Sequence, residues 1–210
     1  KYLFTKTGLF TSTIAEAGAF VKTKDELEIP NIQFHYAPAM IVDHGRTLLW
    51  GTGMSCHSCL LRPKSLGEVT LASADPFADP LIDPKFLSHP DDMKDMIDGY
   101  KVMMKVLGSE PFSKYITEHT QRPIDINNDS DIEQAMREGA DTVYHPVGTC
   151  KMGDDDMSVV DSRLKVHKLN GLRIVDASIM PTIVGGNTNA PTIMIGEKAS
   201  DMILEDWNIH

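Results

Sequence analysis

Apolar and polar residues alternate along residues 31–36, with Ile32 and Phe34 on the apolar side. A period of two is typical of a half-buried strand. Glycines bound two further short runs, residues 47–50 and 68–71, and these predict two more strands. Because no long helical pattern separates the three runs, they favour an antiparallel sheet.

A helical period replaces this alternation at residues 93–107, where apolar side chains recur at spacings of three and four. Ser88 and Asp91 have the spacing of a capping box ahead of this helix, and Gly108 follows it as a stop signal. A shorter helix is predicted at residues 131–138. Core packing is the expected role of the methionine-rich face of the longer helix, because Met fills irregular gaps.

The other stretches lack a clear period. Residues 1–28 leave open an extended covering segment, and residues 73–90, rich in Asp and Pro, predict a loop. After Asp141, Gly and Pro become frequent, and a strand is predicted at residues 163–167. A last helix begins near Pro191 and is expected to carry Ile195, Ala199, Met202 and Ile203 inward. The pattern therefore predicts an α+β fold, in which helices flank an antiparallel sheet and a strand–helix segment ends the chain.

Composition and net charge restrict the classes of function that this chain can have. The chain has 210 residues, 41% of them hydrophobic and 24% charged, which is ordinary for a globular protein. Its formal net charge of −10 disfavours a nucleic-acid partner, because an acidic surface repels phosphate groups. An odd number of cysteines, three, indicates a reducing compartment. We expect a cytoplasmic protein, with peripheral association with the inner membrane as the alternative.

Two cysteines and a histidine stand close together in the segment Cys56-His57-Ser58-Cys59. A closed zinc site needs four ligands, and the one remaining cysteine, Cys150, stands alone, without a second CxxC or an HxxxH pair in the sequence. The segment therefore favours a turn at a strand edge over a metal site.

A histidine in a loop punctuated by Gly and Pro is the first candidate for catalysis. His145 lies in the segment YHPVGTCKMG, residues 144–153. Histidine is the usual general acid or base because its protonation changes near neutral pH. A core histidine satisfied by backbone groups is the alternative, and this segment alone favours that alternative.

A glycine-rich turn ahead of the last helix is the second candidate site. Gly185 and Gly186 let the backbone approach a ligand closely, and the first N–H groups of the helix can stabilise an anion. Residues 176–178 follow a short apolar run, a common place for ligand contacts. A plain turn with Asn189 or a neighbour as helix cap is the alternative.

Taken together, residues 144–153, 171–182 and 186–199 resemble, in order and spacing, the C-terminal signature of the glucose–methanol–choline (GMC) oxidoreductase family. Residues 61–65 and 81–84 are similar to the branch of bacterial choline and alcohol dehydrogenases. The resemblance covers nearly the whole chain. Several long motifs in register make it far more specific than a single short motif.

The resemblance implies a substrate-binding domain mainly over residues 1–143, and a segment 144–210 that completes an FAD-binding domain. It implies FAD as cofactor and hydride transfer to the flavin from a primary alcohol, choline among the candidates. Because the sequence contains no GxGxxG motif, we expect the chain to be the C-terminal portion of a longer enzyme. Its partner is then the missing N-terminal FAD-binding portion, without which it binds FAD poorly or not at all.

The resemblance also implies roles for particular residues. His145 matches the residue that handles the hydroxyl proton, and Asn189 matches a second catalytic position that orients the substrate oxygen. Four further positions match residues that contact the cofactor: Asp176, Ala177, Asn187 and Thr188. No metal is implied. We therefore expect His145 to lie beside the Gly-Asn turn, residues 185–189. A non-catalytic binding module with the same fold is the competing interpretation.

Overall fold

The computed structural model describes residues 2–8, 11–47, 49–119 and 123–208. This part of the chain contains the helices α1 (Tyr2–Thr5), α2 (Pro90–Leu107), α3 (Glu110–Ser113), α4 (Asp129–Gly139) and α5 (Asn189–Asp206). Its strands are β1 (Ala17–Val21), β2 (Ile32–Ala37), β3 (Ser55–Leu60), β4 (Glu68–Thr70) and β5 (Leu81–Asp83). All strand pairs are antiparallel, so the predicted α+β class is confirmed.

The chain divides into two compact units that do not follow chain order. The first unit combines Lys1–Leu60 with His89–Gly139, and the second combines Leu61–Ser88 with Ala140–His210. Residues 61–88 thus belong to the same unit as the C-terminal segment, although the sequence analysis grouped them with residues 1–143. What each unit does for a substrate or a cofactor stays a prediction.

The first unit is built on a three-stranded sheet in the order β1-β2-β3. The strand predicted at residues 31–36 is confirmed as its central strand, β2. Ile32 is fully buried and Phe34 is 5% exposed, and both pack in one cluster with Met103 of α2. The apolar side that the alternation predicted is therefore the side that faces the helix.

Helix α2 packs on this sheet. It begins at Pro90, one residue later than it would if Ser88 were the N-cap. The N-cap is His89, whose Nδ1 accepts a hydrogen bond of 3.2 Å from the backbone N–H of Asp91. The predicted Ser88 cap is therefore wrong, whereas Gly108 ends the helix as predicted. Gly99 allows close contact with the sheet, because a Cβ there would lie 2.9 Å from Cδ1 of Ile32.

The strand predicted at residues 47–50 is wrong. Thr47 forms only an isolated bridge with Val42, Leu48 lies outside the described residues, and the side chain of Trp50 is 94% exposed. The missing strand is β3, which contains the Cys-His-Ser-Cys segment that the sequence analysis interpreted as a turn. Small residues are typical of turns, but here they are paired along their full length with β2.

Placing Cys56 and Cys59 on one strand separates them. Side chains three residues apart in a strand project from opposite faces, so the two thiols do not converge on one ion. Burial raises the pKa of both thiols, which disfavours the thiolate form that binds zinc. Within the described ranges, no three His, Cys, Asp or Glu side chains form a group that could hold a metal ion.

The second unit contains little regular structure before its last helix. The strand predicted at residues 68–71 is confirmed as β4, but its partner β5 lies in the stretch predicted as a loop. The strand predicted at residues 163–167 is wrong, since only isolated bridges form there, and Leu164 has a φ of 63° that interrupts an extended chain. The buried cluster of this unit consists of Val160, Leu164, Ile179, Met180, Ile195 and Ala199.

Helix α5 is the longest regular element in the described part of this unit. It begins at Asn189, two residues before the predicted start, and it buries Ile195 and Ala199 as predicted. Ile203, predicted to face inward, is 39% exposed. No helix in the described part of the chain has the length and apolar character needed to span a membrane.

A cluster of charges holds the C-terminal end of α5. The Arg163 guanidinium donates to the carbonyl of Met202 at 3.0 Å and to the Asp206 carboxylate at 2.8 Å. Lys165 and Arg173 also pair with Asp206. Hydrogen bonds from Lys165 and Arg173 hold the pKa of this carboxyl well below its ordinary value. The neighbouring segment thus supplies the positive charge that the last turn of the helix itself lacks.

Candidate active site

The loop that carries His145 is shaped by its local sequence. The backbone N–H of Tyr144 donates to Oγ1 of Thr142 at 2.9 Å, and Tyr144 has a φ of 65°. Pro146 follows His145 directly and restricts the histidine backbone to extended conformations. The result is a fixed turn that leaves the imidazole partly buried.

Backbone hydrogen bonds attach the rest of this loop to residues 178 and 179. The N–H of Cys150 donates to the carbonyl of Ser178 at 3.0 Å, and the N–H of Met152 donates to that of Ile179 at 2.8 Å. Gly148 has a φ of 88°, a conformation that favours glycine. Because Ile179 belongs to the buried cluster, these bonds fix the His145 loop to the core of the unit.

Asp176 organises the segment to which the loop is attached. Its Oδ1 accepts a hydrogen bond of 2.7 Å from the N–H of Ser178, which caps the short 3-10 turn Ala177–Ile179. Asp176 is exposed and Ala177 is partly buried. The structure therefore gives the carboxylate of Asp176 a capping role, and its predicted contact with the cofactor stays a prediction.

The Gly-Asn turn lies against the imidazole. Nδ1 of His145 is 2.8 Å from Oγ1 of Thr188, and Nε2 is 3.1 Å from Nδ2 of Asn187. Thr188 is 7% exposed, whereas Asn187 is exposed. Both ring nitrogens thus contact consecutive residues of the turn. His145 is partly exposed beside polar side chains and is not enclosed in the apolar core.

The site brings together three of the six predicted residues: His145, Asn187 and Thr188. Asn189 is exposed as the first residue of α5, and the described residues include no hydrogen-bond partner for its amide. Its assignment as the second catalytic residue stays a prediction. The sequence contains Asn at both 187 and 189, and nothing in the pattern could indicate which side chain contacts the imidazole.

Arg62 is a further residue at this turn, and the sequence analysis gave it no separate role. A Cβ at Gly185 would lie 2.0 Å from Nη2 of Arg62, so the guanidinium occupies the space beside this glycine. Arg62 lies at the start of a segment that is remote in sequence. The order of residues therefore gave no direct signal for this contact.

The start of α5 suits an anionic group. Among the described side chains, none caps its N-terminus, and its first turn has no acidic residue. The first turn of a helix carries unpaired N–H groups and a partial positive charge. Reduced flavin is anionic at one edge of its ring, and the N–H donors with the adjacent Gly185 and Gly186 fit such a group.

Comparison with known proteins decides the family. The family model described as GMC oxidoreductase matches residues 63–196, more than half of the chain. The chain belongs to the GMC oxidoreductase family. The matched range includes the His145 loop and the Gly-Asn turn, so the predicted family resemblance is confirmed.

Individual members of the GMC family are similar over most of the chain. The alcohol dehydrogenase [acceptor] of Pseudomonas putida is 47% identical over 97% of the chain, and the oxygen-dependent choline dehydrogenase of Klebsiella pneumoniae is 41% identical over the same share. In each case the chain covers 37% of the relative's length. A solved structure of formate oxidase from Aspergillus oryzae, examined for FAD modification, is 28% identical with a TM-score of 0.80, covering 88% of this chain and 33% of that one.

Proposed function

We propose that this chain supplies the proton-handling site of an FAD-dependent alcohol oxidoreductase. The observation that carries the proposal is the His145 imidazole, held at both nitrogens by the turn that leads into the uncapped start of α5. FAD, once bound, supplies the hydride acceptor. Its holders on this chain would be residues of the 176–189 segment and the first N–H groups of α5, with the rest of its site contributed by the remainder of the protein.

His145 would act on the substrate hydroxyl. Nδ1 faces the buried Thr188, whereas Nε2 faces the exposed side chain of Asn187. Nε2 is therefore the nitrogen that a substrate hydroxyl would reach, by taking the place of the Asn187 amide as hydrogen-bond donor. Removing that proton gives the substrate oxygen alkoxide character and eases departure of the hydride from the carbon that bears it. The alcohol thus loses one proton and one hydride and becomes an aldehyde, with the proton held on His145.

An asparagine would orient the substrate oxygen, because an amide can donate a hydrogen bond but cannot act as a base. The sequence resemblance assigns this role to Asn189, whose amide is exposed. The contact between Asn187 and Nε2 of His145 favours Asn187, because a group beside that nitrogen is also beside the reacting proton. We therefore propose the His145–Asn187 pair as the reaction centre, with Asn189 at the adjoining helix start.

The substrate class that we propose is a primary alcohol. The relatives include both an alcohol dehydrogenase and a choline dehydrogenase, so aliphatic alcohols and choline both belong in the test. In the first unit, Tyr36 packs edge-on against Phe112 with 5.8 Å between ring centroids, so these two rings do not form a cage around the trimethylammonium group of choline. The unpaired Cys56, Cys59 and Cys150 support a reducing compartment, and we propose the cytoplasm.

The test is the visible spectrum of the complete FAD-loaded protein under anaerobic conditions, recorded during titration with a panel of alcohols that includes choline. The proposal predicts that at least one primary alcohol bleaches the flavin, while a tertiary alcohol, which has no hydrogen on the carbon that bears the hydroxyl, does not. A flavin that no alcohol bleaches, in protein that does bind FAD, would contradict the proposal. Protein that binds no FAD would instead favour the non-catalytic binding module.

A further inference from the structure

The side chain of Thr188 is turned away from solvent and toward the imidazole. Its Oγ1 lies 2.8 Å from Nδ1 of His145, and the residue is 7% exposed. Its own carbonyl accepts hydrogen bonds from the N–H of Thr192 at 3.0 Å and from Oγ1 of Thr192 at 2.7 Å. Thr188 is thus anchored to the first turn of α5, and its burial restricts access of a water molecule that could replace the hydroxyl.

The two contacts of His145 are consistent with only one neutral form of the ring. The amide nitrogen of Asn187 can only donate, so Nε2, at 3.1 Å, must accept and carries no proton. In a neutral imidazole the proton is then on Nδ1, which donates to Oγ1 of Thr188. Among the described residues, no carboxylate or ammonium group pairs with His145 that could impose the other form.

We infer that Thr188 is a positioning residue that fixes His145 as the Nδ1–H tautomer, with the lone pair of Nε2 on the side of the ring where the Asn187 amide donates and where the substrate hydroxyl would donate in its place. This inference rests on the proposed function, in which Nε2 takes the hydroxyl proton. The Nδ1–H···Oγ1 bond is the same before and after Nε2 is protonated. The ring therefore need not turn during the reaction, and its orientation is set before the substrate arrives.

The experiment compares the complete FAD-loaded protein with its Thr188→Val and Thr188→Ser variants. Valine has nearly the shape of threonine without the hydroxyl, and serine keeps the hydroxyl. Long-range ¹H–¹⁵N NMR of protein labelled at histidine nitrogens identifies which nitrogen bears the proton, with His145→Ala to assign the signals. Thr70→Val, an exposed position in β4, is the matched control.

We expect the wild-type protein and Thr188→Ser to have the proton on Nδ1, and Thr188→Val to show a mixture of both tautomers. Flavin reduction by a saturating alcohol should slow about 10-fold in Thr188→Val, because a buried donor loses its acceptor. The Michaelis constant should change little, since the hydroxyl does not face the substrate. Thr188→Ser should recover most of the rate, and Thr70→Val should match wild type.

A proton on Nε2 in the wild-type protein would overturn the inference, and so would equal rates and tautomers in Thr188→Val and Thr188→Ser. Because the wild-type tautomer and the serine variant are informative by themselves, a valine variant that fails to fold does not remove the test. Failure of the proposed function has a different result: no alcohol reduces the wild-type flavin, whereas the tautomer of His145 can still be measured.

Discussion

The two compact units reach a buried core by different means. In the first, the core consists of side chains that recur at regular intervals along β2 and α2, with Ile32 fully buried between them. In the second, buried side chains from separate loops and α5 are joined by backbone hydrogen bonds such as Met152 N–H to the carbonyl of Ile179. The periodic packing of the first unit gives a stable sheet. The irregular loops of the second unit instead position individual polar side chains, and the candidate catalytic residue, His145, is one of them.

The largest effect that separates the two units is expected from Ile32→Ala. Removing a fully buried side chain leaves a cavity and should destabilise the first unit by about 2–5 kcal/mol. Hydrogen exchange followed by mass spectrometry on the complete protein measures this change. Amides of β1, β2, β3 and α2 should exchange faster while those of α5 keep their protection. Equal loss of protection in α5 would contradict the division into units with separate cores.

The second prediction concerns the irregular unit and compares two of its asparagines, Asn187 and Asn189. Asn187→Ala should slow alcohol-dependent flavin reduction by about 10- to 100-fold, because it removes the hydrogen-bond donor beside Nε2 of His145. Asn189→Ala should have the smaller effect, since its amide makes no contact with the imidazole in the described structure. Stopped-flow absorbance at saturating alcohol gives both rates. The reverse order would restore Asn189 as the second catalytic residue.

The smallest effect concerns the charged cluster that holds the end of α5. Folding lowers the pKa of Asp206 below its ordinary value of 3.8. The carboxylate therefore stabilises the folded state at pH values above 3.8, and this contribution is lost as the pH falls further. Asp206→Asn should therefore lower the thermal midpoint at pH 6. The difference in thermal midpoint between the wild-type protein and Asp206→Asn should be smaller at pH 3.

If the difference in thermal midpoint between the wild-type protein and Asp206→Asn is the same at pH 6 and pH 3, the carboxylate charge does not stabilise the helix end. Glu197→Gln provides a matched control, because Glu197 is an exposed acidic residue of the same helix outside this cluster. This control should leave the thermal midpoint unchanged at both pH values.

The sequence was sufficient for elements whose pattern repeats. Strand β2, helix α2 and helix α5 follow from apolar periodicity together with Gly108 and Pro191 as boundary signals. Secondary-structure prediction failed where the residue types are not those typical of the element that they form. Strand β3 consists of small and polar residues that become a strand only by pairing with β2, and that pairing is not visible in a local pattern.

The candidate site could be predicted only in part, because its contacts, like the pairing of β3, join segments that are distant in sequence. The family resemblance indicated the His145 loop and the Gly-Asn turn, and the structure brings them into contact. Their contacts depend on which side of the turn each side chain occupies. That depends on the φ angles of residues such as Tyr144 and Gly148 and on hydrogen bonds between distant segments. The sequence therefore did not indicate that Asn187, for which a cofactor contact was predicted, contacts the imidazole, or that the side chain of Thr188 is turned inward.

The central claim is that His145 takes the proton of the substrate alcohol, and the rate of anaerobic flavin reduction in His145→Ala measures it most directly. The account predicts a rate about 10²- to 10⁴-fold below wild type at saturating alcohol, with flavin content retained. A rate close to that of the wild-type protein, in a variant that binds FAD normally, would contradict it.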